Sequence, residues 1–304
     1  MVRSRLGLTG YFDLYNMPFD EIGNFDFSEK RSPLSPGGMN HGSSIIDELA
    51  ASSANYFVSN PQFTEAQNYQ ALLTLCRQGD LDFAFCYWPG LDGLMHGCGN
   101  RHDLIPRRLV QYERWILEIM AAVYRQGAVP RLHVFSDHGM ANLKASLHPD
   151  SISGGRSSAI CGRDYFRVVD STMIRFWYLS DGVRNDFEES LKASPYGRII
   201  PDDELRKLGT FFPDYKFGET IFLLREGYQF APSHMGVRAM AGMHGYHPDE
   251  VHSNACLLSD NRTRASHCER ITDIYTLMSN SLDEIELRRG GCEPAVTATD
   301  LVTA

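Results

Sequence analysis

Three short stretches carry side chains suited to gripping a divalent cation. Asp92-Gly-Leu-Met-His96 places a carboxylate and an imidazole four residues apart. On a helical turn those positions share a face, so both side chains can reach one ion. Ser136-Asp137-His138-Gly139-Met140 sets an acid directly beside an imidazole. Adjacent side chains at a strand end point to opposite sides, so a shared ion there needs a sharp turn, which Gly139 permits. Gly242-Met243-His244-Gly245-Tyr246-His247-Pro248 is a glycine-flanked histidine in a loop, where backbone can approach an ion or anion closely. Oxygen and nitrogen ligands together suit zinc or a similar transition metal. Each stretch also has a plainer reading alone: Asp92 as a helix cap, Asp137-His138 as an ordinary strand end, His244 as a surface loop residue.

The elements that would deliver these residues are legible around them. Leu81–Trp88 is a nearly continuous apolar run between Gly79-Asp80 and Pro89-Gly90, the signature of a buried strand in a parallel sheet. Leu109, Val110, Ile116, Ile119, Met120 and Val123 recur at helical spacing, with Pro106 near the start and Gly127 past the end, as helix punctuation requires. Arg131–Ser136 reads as a second buried strand, which makes the span a βαβ unit. Both strands run into acidic motifs, and ligand sites of open α/β sheets gather beyond the carboxyl ends of strands. Upstream, a helix is expected from about Ser44 to Ala51, a strand at Tyr56–Val58 and a helix over Glu65–Arg77. Residues 142–240 read as an inserted α+β region: strands within Tyr165–Tyr178, helices over Val183–Ala193 and Asp202–Leu208, and a strand at Glu219–Leu224. Asn254–Leu258 should return as a strand and Ile271–Asn280 as a closing helix. Residues 1–42 read as loops with short extended pieces, and the tail 290–304 has little reason to be ordered.

At 304 residues the chain could form one large α/β domain or two modest ones and bury a sizeable core. Its 43% hydrophobic and 22% charged residues are ordinary for a globular protein, and one domain over 1–304 is the reading taken. A net charge of -9 argues against a nucleic-acid duplex as partner. It leaves room for a small phosphorylated substrate, since bound cations can reverse the local field. Seven scattered cysteines without a Cys-x-x-Cys pair argue for free thiols over a disulfide framework or thiolate zinc site. No apolar run approaches the roughly 18 residues of a membrane span. The opening Met-Val-Arg-Ser-Arg-Leu-Gly-Leu-Thr-Gly lacks a signal peptide's apolar core, so the default expectation is a cytoplasmic protein. Oligomeric state is left open.

Taken together, the order and spacing of the three motifs resemble the type I phosphodiesterase/nucleotide pyrophosphatase branch of the alkaline phosphatase superfamily. The resemblance runs from about Gly7 to Asn280 and includes Gly7-Leu-Thr-Gly-Tyr-Phe-Asp-Leu-Tyr-Asn16, Asp170-Ser171-Thr172-Met173 and Asp273-Ile274-Tyr275. It implies an alkaline-phosphatase-like, mainly parallel central sheet flanked by helices. It implies two divalent ions, zinc by family habit, one on Asp92, His96 and His244 and the other on Asp137 and His138. One ion would activate a Ser or Thr nucleophile; the other would polarise the phosphoryl group for in-line attack, giving a covalent phospho-enzyme that water resolves. The family pattern also has an Asp and the nucleophile on the N-terminal side of Asp92. Ser4 and Thr9 lack the expected context, and Ser43 and Ser44, though placed before a helix, fall too late in the pattern, so no catalytic nucleophile is assigned. The second ion site is expected to be short of ligands, with one ion firmly held. Tyr246 and His247 are candidate substrate contacts. For the aromatic stretch Phe211–Phe217, stacking on a base and plain packing both stand. His133 is expected to be a satisfied core histidine, and for His247 and His252 a substrate contact and a plain surface position both stand. The family reading is a metal-dependent phosphodiester or pyrophosphate hydrolase. The alternatives are a phosphomonoester or phosphonate hydrolase, or a non-catalytic metal- or phosphate-binding protein of the same fold.

Overall fold

The computed structural model describes residues 31–39, 41–153, 158–180 and 182–290. The expectations for residues 1–30, including Ser4, Thr9 and the Gly7–Asn16 stretch, and for the tail beyond 290 lie outside the described residues. Helix α1 (Ile45–Ala51) begins at Ser44, whose side chain accepts from Asp47 N while the Asp47 carboxylate accepts from Ser44 N, a reciprocal cap that satisfies two orphan donors. Strand β1 (Tyr56–Val58) follows. Helix α2 (Glu65–Gln78) repeats the device with Thr64 and Gln67 and ends on Gly79 at φ 81°, the left-handed stop that glycine adopts without strain. Strand β2 (Phe83–Phe85) pairs in parallel with β1 and leads into helix α3 (Gly90–Cys98) and the long helix α4 (Leu104–Arg125).

The apolar run Leu81–Trp88 therefore yields a ladder of only Phe83–Phe85. The rest of its hydrophobicity serves a different purpose: Trp88 packs on Tyr112 and Trp115 of α4 with ring centroids 5.0 and 5.5 Å apart. Tyr69, Leu72, Leu73 and Cys76 of α2 complete that buried cluster. Helix α4 starts two residues before Pro106, which sits in the first turn where no intrahelical donor is needed. Strand β3 (His133–Phe135) corrects the expected βαβ ladder. It pairs antiparallel with β12 (Leu257–Ser259), and it meets β2 through Phe85 and Phe135, whose rings lie 6.5 Å apart.

Beyond β3 the chain makes short pairings that fold its later parts back. Strand β4 (Ala141–Asn142) pairs antiparallel with β11 (Gly242–Met243), and β5 (Ala145–Leu147) pairs in parallel with β10 (Tyr228–Phe230). Between them lies an antiparallel sheet in the order β6-β7-β9-β8, built from Tyr165–Val169, Met173–Tyr178, Thr220–Leu224 and Gly197–Ile199. Helix α5 (Val183–Lys192) covers it with Phe187 and Leu191, and helix α6 (Asp202–Lys207) follows β8. Ile174, Phe176, Phe187, Leu191, Phe222, Leu224 and Phe230 are fully buried there, each side chain contributing about 1.5–3 kcal/mol by leaving water. Helix α7 (Asp273–Arg289) extends nine residues past the expected Asn280, because Leu282 and Ile285 continue its contact with Ile45, Ile46 and Leu49 of α1. Cys76, Cys86, Cys98, Cys256 and Cys268 are free thiols. No helix among the described residues is long and apolar enough to cross a membrane.

Candidate metal centre

Asp92 and His96 lie one turn apart on α3, and His244 follows directly on β11. Their ligand atoms all fall within 4.8 Å of one another, forming the one such group of three among the described residues. His96 Nε2 is 3.5 Å and His244 Nε2 3.7 Å from Asp92 Oδ1. That oxygen is buried and has no hydrogen-bond partner, a costly state for a carboxylate unless a cation completes it. Coordination also needs each imidazole neutral with one free lone pair. On His96 the lone pair has to come from Nε2, which is turned to Asp92, because Nδ1–H donates to the Gly242 carbonyl at 2.9 Å. His244 is kept neutral through burial first, with the neighbouring His138 and His96 adding to the effect, and its pKa is pushed down to about 4. The donor set thus fits a divalent ion of the zinc type.

Asp137 and His138 come to the same place from the end of β3. The His138 ring stacks on His244 with centroids 3.7 Å apart. Its Nδ1–H donates to Gly139 O at 2.8 Å, and its Nε2 is 3.5 Å from Asp137 Oδ1. The Asp137 side chain is 71% exposed, so this pair forms an open edge of the centre.

The glycines flanking these motifs act through contact. A Cβ on Gly139 would run into the carbonyls of His252 and Asn254. One on Gly242 would meet Met95 O at 2.6 Å, so β11 can lie against the backbone of α3 only as glycine. Gly245 takes φ 86°, and its carbonyl accepts from the buried Thr172 hydroxyl at 2.7 Å. Two residues that carry no chemical signal in the sequence finish the assembly. Asn100 Nδ2 donates to Met140 O at 2.7 Å, and Asn142 Oδ1 accepts from Asn100 N at 2.7 Å. These bonds join the end of α3 to the segment behind Asp137-His138, while Ala241 N donates to His96 O at 2.8 Å. Backbone bonds and these two side-chain amides together hold the three motifs in place.

Tyr246 is buried against Ala141 and Met243, and its hydroxyl donates to Tyr228 O at 2.9 Å. His247 is only 13% exposed and pairs with Glu204 of α6 at 2.7 Å. Both are therefore engaged with protein. His252 pairs with Glu226 at 2.7 Å, and His133 bonds the Ser259 hydroxyl at 2.9 Å. The Phe211–Phe217 stretch packs on itself, Phe212 against Phe217 at 4.5 Å, with the Arg206 guanidinium 3.8 Å over Phe211.

The chain has an α/β fold of the alkaline phosphatase type. The family model of type I phosphodiesterase / nucleotide pyrophosphatase matches residues 52–247, a span holding all five metal-ligand candidates, and the chain belongs to that family. Among solved structures, human ectonucleotide pyrophosphatase/phosphodiesterase 5 is similar at a TM-score of 0.63 and 15% identity, over 91% of this chain and 81% of that one. The murine protein, an inactive Thr-to-Ala variant in complex with AMP, is similar at 0.60 and 14%, over 80% and 70%. No curated protein sequence matches this chain.

Proposed function

We propose that this chain is a metal-dependent hydrolase of phosphate esters, of the phosphodiester and nucleotide pyrophosphatase type. In this reading Asp92, His96 and His244 hold one divalent cation, and Asp137 and His138 serve a second. The observation that carries it is the convergence of the first three ligand atoms within 4.8 Å around a buried carboxylate oxygen that nothing else satisfies. Divalent ions bound there would neutralise charge building on the phosphoryl oxygens and acidify an attacking oxygen. The chain's own residues prepare for this. The backbone at Gly242 fixes which nitrogen His96 presents, burial keeps His244 uncharged, and the exposed Asp137 leaves one side open for an anionic ester. The AMP complex of the murine relative supports a nucleotide-like substrate. The nucleophile is assigned to no residue among those described.

One observation favours a second reading, metal or phosphate binding without turnover: Asp137 and His138 stand as a two-ligand pair on an open edge. An aryl phosphodiester and an aryl phosphomonoester, assayed with zinc and with chelator, separate the readings. Diester hydrolysis that needs zinc and falls by roughly two orders of magnitude in His244→Ala supports the enzyme. Unchanged hydrolysis in that variant rules out the proposed chemistry, and zinc binding without hydrolysis of either ester supports the second reading.

A further inference from the structure

Helix α3 carries Asp92 and His96, yet its first turn has no cap of its own, since Pro89 stands at the N-cap position and makes no side-chain hydrogen bond. The first backbone N–H groups of a helix need acceptors from elsewhere. One comes from α2. Glu65 Oε1 accepts from Gly90 N at 2.6 Å, two residues before Asp92. The same carboxylate is held from α4, by the Tyr112 hydroxyl at 2.8 and 3.0 Å and by Arg108 Nη1 at 3.1 Å. Its side chain is 15% exposed. A carboxylate at this end of a helix also complements the helix dipole. Gly90 leaves room for the arrangement, because a Cβ there would stand 2.5 Å from Arg108 Nη1 and 2.7 Å from Glu65 Oε2.

We propose that Glu65 is a positioning residue for the metal centre, setting through Gly90 where α3 begins and hence where Asp92 points. The other end of α3 is tied by His96 to Gly242 and by Ala241 to His96, so Glu65 fixes the end that strand β11 does not. Asp92 Oδ1 has its two imidazole neighbours at 3.5 and 3.7 Å, and a small shift of the first turn takes it out of their reach. The inference rests on the metal reading given under Proposed function.

Zn2+ titration by calorimetry, with Co2+ absorption as the report on coordination geometry, tests it. Glu65→Ala should weaken binding of the first ion by about tenfold and alter the Co2+ spectrum. Glu65→Gln, which keeps an acceptor for Gly90, should recover most of the affinity. Tyr69→Phe removes the neighbouring α2–α4 bond to Glu118; it should lower thermal stability while leaving Zn2+ affinity unchanged, which separates positioning from simple packing. If Glu65→Ala does not fold, Glu65→Asp, whose carboxylate falls one methylene short of Gly90, decides on the same terms. A folded wild-type chain that binds no Zn2+ overturns the metal reading and this inference with it. Wild-type binding matched by an equally tight Glu65→Ala or Glu65→Asp overturns the inference alone.

Discussion

Backbone carbonyls decide which nitrogen two of the three imidazoles offer: Gly242 engages Nδ1 of His96 and Gly139 engages Nδ1 of His138. Both Nε2 atoms are thereby left as acceptors. Gly139 has a further role, since a side chain there meets the His252 and Asn254 carbonyls. Gly139→Ala is expected to destabilise the fold by about 1–3 kcal/mol through overpacking, measurable by urea denaturation. At this scale the sequence speaks where chemistry is explicit. Asp92, His96, Asp137, His138 and His244 stand out only as a set, since each motif alone has a plainer use, and the folded chain brings them together. Asn100 and Asn142 do not stand out, because an asparagine that bonds backbone looks like any loop asparagine until its partners are placed. Tyr246 misleads in the opposite sense. Beside His244 its ring suggests substrate, yet its hydroxyl is spent on Tyr228 O.

Among the elements, the starts of α1 and α2 were read to within a residue or two, and the structure supplies the reason, capping by Ser44 with Asp47 and by Thr64 with Gln67. The start of α3 was not readable as a cap, because its acceptor, Glu65, lies on another helix. Strand lengths were hard to read for a related reason. Phe83 to Trp88 are uniformly apolar, but some face a sheet and Trp88 faces α4. Another pairing, between β8 and α6, gives a pH signature. Arg198 binds both oxygens of Glu204 at 2.5 and 2.6 Å. Chiefly through those bonds, it lowers the Glu204 pKa from 4.5 to about 2, with His247 assisting. A carboxyl whose folded pKa is depressed stabilises fully above its unfolded value and loses that contribution as pH falls through the folded one. The stability difference between wild type and Glu204→Gln should therefore be constant above about pH 5 and close between pH 5 and 2. A gap that persists unchanged at pH 2 contradicts the pairing.

For the molecule as a whole, the proposed ligands come from α3, from the end of β3 and from the loop after β11, segments remote in sequence that only the folded chain unites. An ion binding the native state alone should stabilise it by mass action, about 2.7 kcal/mol at a free concentration one hundred times the dissociation constant. Zn2+ should accordingly raise the melting temperature of wild type, with His244→Ala unresponsive, as calorimetric scans with and without chelator would record. The α/β class and the site's place beyond β2 and β3 followed from apolar runs ending in acidic motifs. The antiparallel pairing of β3 with β12 did not, because two three-residue strands carry too little pattern to name a partner. One contact bears on how the centre fills. His138 and His244 are stacked 3.7 Å apart and in the proposed two-ion reading serve different ions, so an ion that fixes one ring restricts the other. The two groups are then thermodynamically reciprocal, whatever occupancy of one does to the affinity of the other being returned in equal measure, and titration should follow a coupled isotherm in place of two independent ones.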